Sequence, residues 1–183
     1  MSSIPNILTA LRIFLIPILV FSFFVDGVLS NWLAATLFGI ASLTDFFDGY
    51  LARLLKAESS LGKLLDPIAD KLLVTTALIM LIHFGDGDLL ITIPAIIILF
   101  REIFVSGLRE FLAEINVGLP VSKLAKWKTT VQMISLAILI LGDKGSGIEY
   151  TDQLGRIGLA IAAFLTVITG LVYFKTSLKH IKG

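Results

Sequence analysis

The chain has 183 residues, of which 56% belong to the hydrophobic set AVILMFWYC and only 16% are charged. This composition, with a mean hydropathy of +0.94, excludes an ordinary water-soluble globule, because one core of this size could not bury so much apolar surface. The absence of cysteine excludes disulfides, a thiol nucleophile and cysteine-ligated metals, and a net charge of +1 gives no reason to expect a nucleic-acid partner.

Apolar runs long enough to cross about 30 Å of hydrocarbon as helices occur six times along the chain. They cover approximately Ile7 to Val25, Trp32 to Leu51, Leu64 to Phe84, Leu89 to Phe104, Trp127 to Leu141 and Ile157 to Phe174. Clusters of glycine, aspartate and proline separate them. We therefore predict an all-α integral membrane protein with six transmembrane helices, forming a single domain over residues 1–183.

The ends of the predicted bundle differ in charge. Of the 15 Lys and Arg residues, all but Lys144 and Arg156 lie on the side of the membrane that carries both chain ends. Because cytoplasmic loops carry an excess of basic residues, we expect both termini in the cytoplasm. A short interfacial segment is expected at the N-terminus, where Arg12 interrupts the first apolar run.

Four aspartates flank the predicted turn between the second and third helices. Asp45 and Asp48 are three residues apart, and Asp66 and Asp70 are four apart, so each pair projects from one helical face. Ionised carboxylates at membrane depth are costly unless they are paired or bound to metal. Four oxygen donors without histidine or cysteine favour Mg²⁺ or Mn²⁺, and such a cluster can hold two ions.

Small residues accompany these aspartates and leave room for a bulky phosphorylated ligand. Gly49, Ala52 and Gly62 each lie four residues from one of the acids, and Arg53 offers a planar donor suited to phosphate. A structural alternative exists for one of the acids, because Asp66 could instead cap a helix that has Pro67 in its first turn.

The stretch from residue 45 to residue 70 resembles the signature DxxDGxxARx8GxxxDxxxD of the CDP-alcohol phosphotransferase family at all eight fixed positions. The resemblance implies a membrane enzyme, commonly a homodimer, that transfers a substituted phosphate from a CDP-linked donor to an alcohol and releases CMP. It also implies roles for the matching residues. Asp45, Asp48 and Asp66 would be metal ligands, Asp70 a ligand and the proposed base, and Gly49, Ala52, Arg53 and Gly62 would border the nucleotide.

A second cluster of charge indicates the acceptor. The cytoplasmic stretch from residue 101 to residue 128 is basic overall, and Arg101 and Arg109, eight residues apart, face the same way on a helix. With Lys126 and Lys128, they are our candidates for binding an anionic acceptor. The bias of cytoplasmic loops toward basic residues explains any single one of them equally well.

Three further stretches, IPNILTALRI, REIFVSGLREFLAE and KWKTTVQM, resemble bacterial members of the family that act in the inner membrane with sn-glycerol 3-phosphate as acceptor and CDP-diacylglycerol as donor. One departure is Ala125, where a glycine is expected. Alternative products within the family are cardiolipin, phosphatidylinositol phosphate and phosphatidylserine. An alternative from another class is a divalent cation transporter, because intramembrane acids also mark ion pathways.

Overall fold

Six α-helices make up the computed structural model of the chain, and no strand occurs in the part that it describes. The structure describes residues 4–55, 60–115, 117–118 and 123–181, without the side chains of residues 4–7, 45–55, 60–61, 63, 123 and 179–181. The helices are α1 (Ile4–Ser22), α2 (Val28–Leu55), α3 (Ser60–Phe84), α4 (Leu89–Glu114), α5 (Lys123–Ser146) and α6 (Thr151–Ile181).

The helices pack as a closed ring in the order α1, α2, α5, α6, α4, α3, and the most extensive contact is between α5 and α6. Helix α3 contacts four others, namely α1, α2, α4 and α5. One face of α3 is accordingly buried, with Leu73, Ala77 and Leu78 at 1% exposure or less. These contacts fix α3 against its neighbours and so position the acidic residues near its start.

The predicted number of helices is confirmed, but only part of the predicted membrane topology is. Among the described segments, three are long and apolar enough to cross a membrane, namely Leu89–Glu114, Leu124–Ser146 and Thr151–Leu178. Two shorter apolar helices are Leu8–Ser22 and Val28–Thr44. Many large apolar side chains point outward, among them Phe100 and Ile103 with more than 70% exposure. Such a surface needs an apolar surrounding, as a multi-pass membrane protein has.

The N-terminal part differs from the expectation. From Ile4 onward the described chain is the first part of a continuous α1, and no separate interfacial segment precedes that helix among the described residues. Arg12, which was predicted to interrupt the run, is fully buried in the bundle, as is Thr9. A long polar side chain enclosed by neighbouring helices does not break a helix, because its backbone hydrogen bonds are unaffected.

Two helix ends also differ from the prediction. Helix α4 continues ten residues past Phe104, because the residues that follow are good helix formers with only one glycine among them. Helix α5 continues past Leu141, and the predicted break is a kink at Gly142, whose φ of 61° lies in the left-handed region. Beyond the kink, the Asp143 carboxylate accepts a hydrogen bond from the backbone N–H of Asp152 at 2.8 Å, which ties α5 to the start of α6.

Candidate functional site

A cavity of about 220 Å³ opens between α3, α4 and α5 near the end of the bundle where α3 and α5 begin and α4 ends. We call this end the basic end. Four cationic side chains and two carboxylates line the cavity, so it carries a formal excess of positive charge. The charged residues are Lys71, Arg101, Arg109 and Lys128, with Asp70 and Glu102, and the remaining lining residues are Val74, Thr75, Leu99, Ile103, Ala125, Thr129 and Gln132.

Asp66 and Asp70 lie on α3, and the side chains of both are half-buried. The alternative that Asp66 caps a helix is wrong, because α3 begins at Ser60, six residues earlier. Asp66 Oδ1 instead accepts a hydrogen bond from Thr9 Oγ1 of α1 at 2.5 Å. This bond fixes the orientation of one carboxylate across the α1–α3 contact.

The remaining residues of the acidic signature are only partly described. Asp45, Asp48, Gly49, Ala52 and Arg53 belong to α2, but their side chains lie outside the described set. Gly62 is buried in the first turn of α3. Among the described side chains, no group of three or more potential metal ligands comes together. The convergence of all four aspartates therefore stays a prediction.

The prediction that Arg101 and Arg109 share a helical face is confirmed, because both line the cavity and both contact Tyr173 of α6. Arg109 Nη2 donates a hydrogen bond to the Tyr173 hydroxyl at 3.0 Å. The two guanidinium carbons lie 5.7 Å (Arg101) and 5.1 Å (Arg109) from the centroid of the tyrosine ring. Cation–π contact with a buried ring holds both arginines at the wall of the cavity.

Lys128 is buried and forms an ion pair that the sequence did not reveal. Its Nζ donates to Glu102 Oε1 at 2.5 Å, and the same oxygen accepts from Arg101 Nη1 at 3.0 Å. Because the two cations share one carboxylate, the free-energy cost of burying them is lowered, and the group of three still has a net positive charge. On α3, Lys71 likewise donates to Ser106 Oγ of α4.

Lys126, the fourth residue predicted to bind the acceptor, is exposed and is not among the cavity-lining residues. Ala125, at the position where a glycine was expected, is nearly buried at 9% exposure and forms part of the wall. The methyl group of alanine therefore fits there.

Three contributors to the site, Thr9, Glu102 and Tyr173, were not predicted in these roles. Thr9 and Tyr173 are distant in sequence from the residues they contact, at separations of 57 for Asp66 and 64 for Arg109. The spacing of residues within one helix does not show which residues of another helix they contact. Glu102 follows Arg101 directly in a stretch that is basic overall, and this adjacency was the available signal.

The chain is similar to a known protein family and to several named bacterial proteins. The profile of the CDP-alcohol phosphatidyltransferase family matches residues 2–168. The chain is 54% identical over 178 residues to a Rickettsia bellii protein named CDP-diacylglycerol–glycerol-3-phosphate 3-phosphatidyltransferase, covering 97% of each chain. A protein of the same name from Rickettsia prowazekii is 55% identical to this chain, and the match covers 94% of each chain. Another from Pseudomonas fluorescens is 39% identical, and the match covers 98% of this chain and 92% of the relative.

Proposed function

Because the chain belongs to the CDP-alcohol phosphatidyltransferase family, we propose that it transfers the phosphatidyl group from CDP-diacylglycerol to sn-glycerol 3-phosphate. The products are phosphatidylglycerol phosphate and CMP, so the enzyme serves phospholipid biosynthesis. The names of the relatives, which state this donor and this acceptor, support the assignment. The observation that carries it is the cavity that places Asp70 together with Arg101, Arg109 and Lys128.

The acceptor is a small phosphate monoester, and the cavity has the charge to bind one. Arginine presents a planar set of donors that matches phosphate oxygens, and lysine adds a point charge. Arg101 Nε is buried and has no hydrogen-bond partner among the described residues, so it is available as a further donor. Arg101, Arg109 and Lys128 therefore bind the phosphate of glycerol 3-phosphate in this proposal.

The chemical step is a displacement at phosphorus. The 1-hydroxyl of glycerol 3-phosphate attacks the phosphorus that carries the diacylglycerol, a new P–O bond forms, and the bond to CMP breaks. The hydroxyl proton passes to the Asp70 carboxylate, and CMP leaves with the electron pair of the broken bond. The protein contributes mainly placement of the two substrates and stabilisation of charge.

We further propose that Asp45, Asp48, Asp66 and Asp70 hold two divalent ions, Mg²⁺ or Mn²⁺. The donor chemistry fits, because the set contains only carboxylate oxygens and because Thr9 already orients Asp66. Bound ions would neutralise the diphosphate of the lipid donor. Gly49, Ala52, Arg53 and Gly62 border the nucleotide in this arrangement.

The proposed setting is the bacterial cytoplasmic membrane, with all six helices spanning it. Both termini and the basic end then face the cytoplasm, as the distribution of Lys and Arg favours. The water-soluble acceptor enters the cavity from that side, and the lipid donor comes from the membrane. We also propose a homodimer, on the family resemblance alone.

The decisive experiment is an acceptor panel. Purified protein is incubated with CDP-diacylglycerol, Mg²⁺ or Mn²⁺, and one labelled alcohol at a time, and the lipid product and CMP are measured. We expect phosphatidylglycerol phosphate with sn-glycerol 3-phosphate. Product formed instead with phosphatidylglycerol, inositol phosphate or serine would reassign the enzyme within the family. Divalent-ion flux in proteoliposomes without CMP release would favour a transporter.

A further inference from the structure

One polar side chain in the cavity has no structural partner that accounts for it. Gln132 of α5 is only 2% exposed, it lines the cavity, and its Oε1 has no hydrogen-bond partner among the described residues. Buried side-chain acceptors nearly always have a partner, because leaving one unpaired costs free energy. An amide in this position therefore calls for a ligand.

The neighbouring polar residues of α5 behave differently. Thr129 Oγ1 donates to the carbonyl of Ala125 at 3.1 Å, and Ser135 Oγ donates to the carbonyl of Val131 at 2.7 Å. Both hydroxyls are thus satisfied within their own helix. Gln132 lies between them along the sequence and does not share that arrangement, so the unpaired oxygen is specific to this position.

On α5, Gln132 lies farther from the basic end than Lys128 does. It follows Lys128 by four residues, which is about one turn and about 6 Å along the helix axis, away from the basic end. On α3, Thr75 follows Lys71 by the same interval. On these two helices a neutral polar residue therefore follows a cation, one turn farther from the basic end, and all four residues line the same cavity.

We propose that Gln132 is a specificity-determining residue that accepts a hydrogen bond from the 2-hydroxyl of the acceptor. The inference rests on the proposed function and extends it. Glycerol 3-phosphate has two hydroxyl groups and a phosphate whose oxygens pair with the cations. Since the 1-hydroxyl gives its proton to Asp70, the 2-hydroxyl is the donor that remains for Gln132 Oε1.

The test compares two acceptors that differ at this hydroxyl alone. Glycerol 3-phosphate and 3-hydroxypropyl phosphate both carry the phosphate and the attacking hydroxyl, but only the former has the 2-hydroxyl. We expect the wild-type enzyme to show kcat/KM at least about tenfold higher for glycerol 3-phosphate, because a site built to pair a hydroxyl rejects an analogue that lacks it. Equal kcat/KM for the two acceptors would overturn the proposal without any variant.

Gln132→Met keeps the length of the side chain and removes the acceptor oxygen. It should lower kcat/KM for glycerol 3-phosphate by about tenfold, the loss expected for one hydrogen bond, and change the value for 3-hydroxypropyl phosphate less than twofold. Gln153→Met, the same change at an exposed position near the start of α6, is the matched control and should alter neither value.

The outcomes separate this inference from the proposed function. CMP release by the wild-type enzyme with neither acceptor would remove the proposed function itself. CMP release with glycerol 3-phosphate, combined with an equal loss for both acceptors in Gln132→Met, would mean that Gln132 has a purely structural role and would overturn the inference alone. If Gln132→Met does not fold, equal kcat/KM of the wild-type enzyme for the two acceptors still overturns the inference.

Discussion

Lys128 Nζ and Glu102 Oε1 lie 2.5 Å apart, with only 5% of the lysine side chain exposed. The pair connects α5 with α4, two helices that each pack mainly against α6. Arg101 Nη1 shares the same glutamate oxygen at 3.0 Å. One carboxylate thus fixes two of the cations to which we assign the acceptor phosphate.

Removing this carboxylate should destabilise the fold. Glu102→Ala leaves the buried ammonium of Lys128 without its partner. This should lower the free energy of unfolding by about 3 kcal/mol, as expected when one member of a buried ion pair is removed. In a protein of this size, we expect the midpoint of thermal unfolding in detergent to fall by about 6–12 °C. Glu110→Ala on the exposed side of the same helix is the control and should shift the midpoint little. Equal midpoints for the two variants would contradict the assigned role of the pair.

Substitutions of Arg109 and Lys126 test whether the acceptor is bound by the cavity or attracted by the general basic charge of this region. Arg109 lines the cavity, whereas Lys126 is exposed outside it. Arg109→Gln should raise KM for glycerol 3-phosphate by about tenfold or more, because a hydrogen bond to a charged group contributes about 1.5–3 kcal/mol. Lys126→Gln removes the same charge and should change KM less than twofold. Similar effects of both substitutions in steady-state kinetics would show that net charge, not the cavity, binds the acceptor.

Much of the helical framework was predictable, since an apolar run of about 20 residues has few alternatives to a helix. The ends of the helices were less predictable. The long apolar run ends at Phe104, but α4 continues to Glu114 because the residues that follow still favour a helix. In the site, the spacing of Arg101 and Arg109 correctly gave their common face. The ring order of the helices was not predictable, because one helix's periodicity says nothing about its neighbour, and Tyr173 was missed for this reason.

Gly158 tests the α5–α6 contact, the most extensive of the bundle. A methyl group added there would collide with Ser135 Oγ and would lie 3.2 Å from Ser135 Cβ. Gly158→Ala should therefore lower stability by about 1–3 kcal/mol, the range for overpacking. Adding Ser135→Ala should restore part of the loss in thermal unfolding. Gly107→Ala is the control, because its added methyl group meets open space. The absence of any recovery of stability in the double variant would contradict the contact between Gly158 and Ser135.

Thr9 links α1 to the proposed metal site through its bond to Asp66. Thr9→Val keeps the shape and removes the donor, so the carboxylate loses the partner that orients it. Loss of such a partner typically costs about 10–100-fold in metal affinity. We expect the Mg²⁺ concentration for half-maximal CMP release to rise by that factor. Thr130→Val is the control, because it removes an exposed hydroxyl that bonds to the carbonyl of Lys126 in its own helix. It should leave the Mg²⁺ dependence unchanged. An unchanged Mg²⁺ dependence in Thr9→Val would contradict the role of Asp66 as a metal ligand.

Of the two signature aspartates whose side chains the structure describes, Asp70 lines the cavity and Asp66 does not. A substitution of Asp70 therefore tests the proposed base at the acceptor site. Asp70→Asn keeps the size of the side chain and removes its capacity to accept the hydroxyl proton. Loss of a general base typically costs about 10²–10⁴-fold in rate, so CMP release should fall by at least about 100-fold while CDP-diacylglycerol still binds. Asp26→Asn, at an exposed position between α1 and α2, is the control. Full turnover by Asp70→Asn would remove Asp70 from the mechanism, and the acceptor hydroxyl would then have to lose its proton to another group of the cavity.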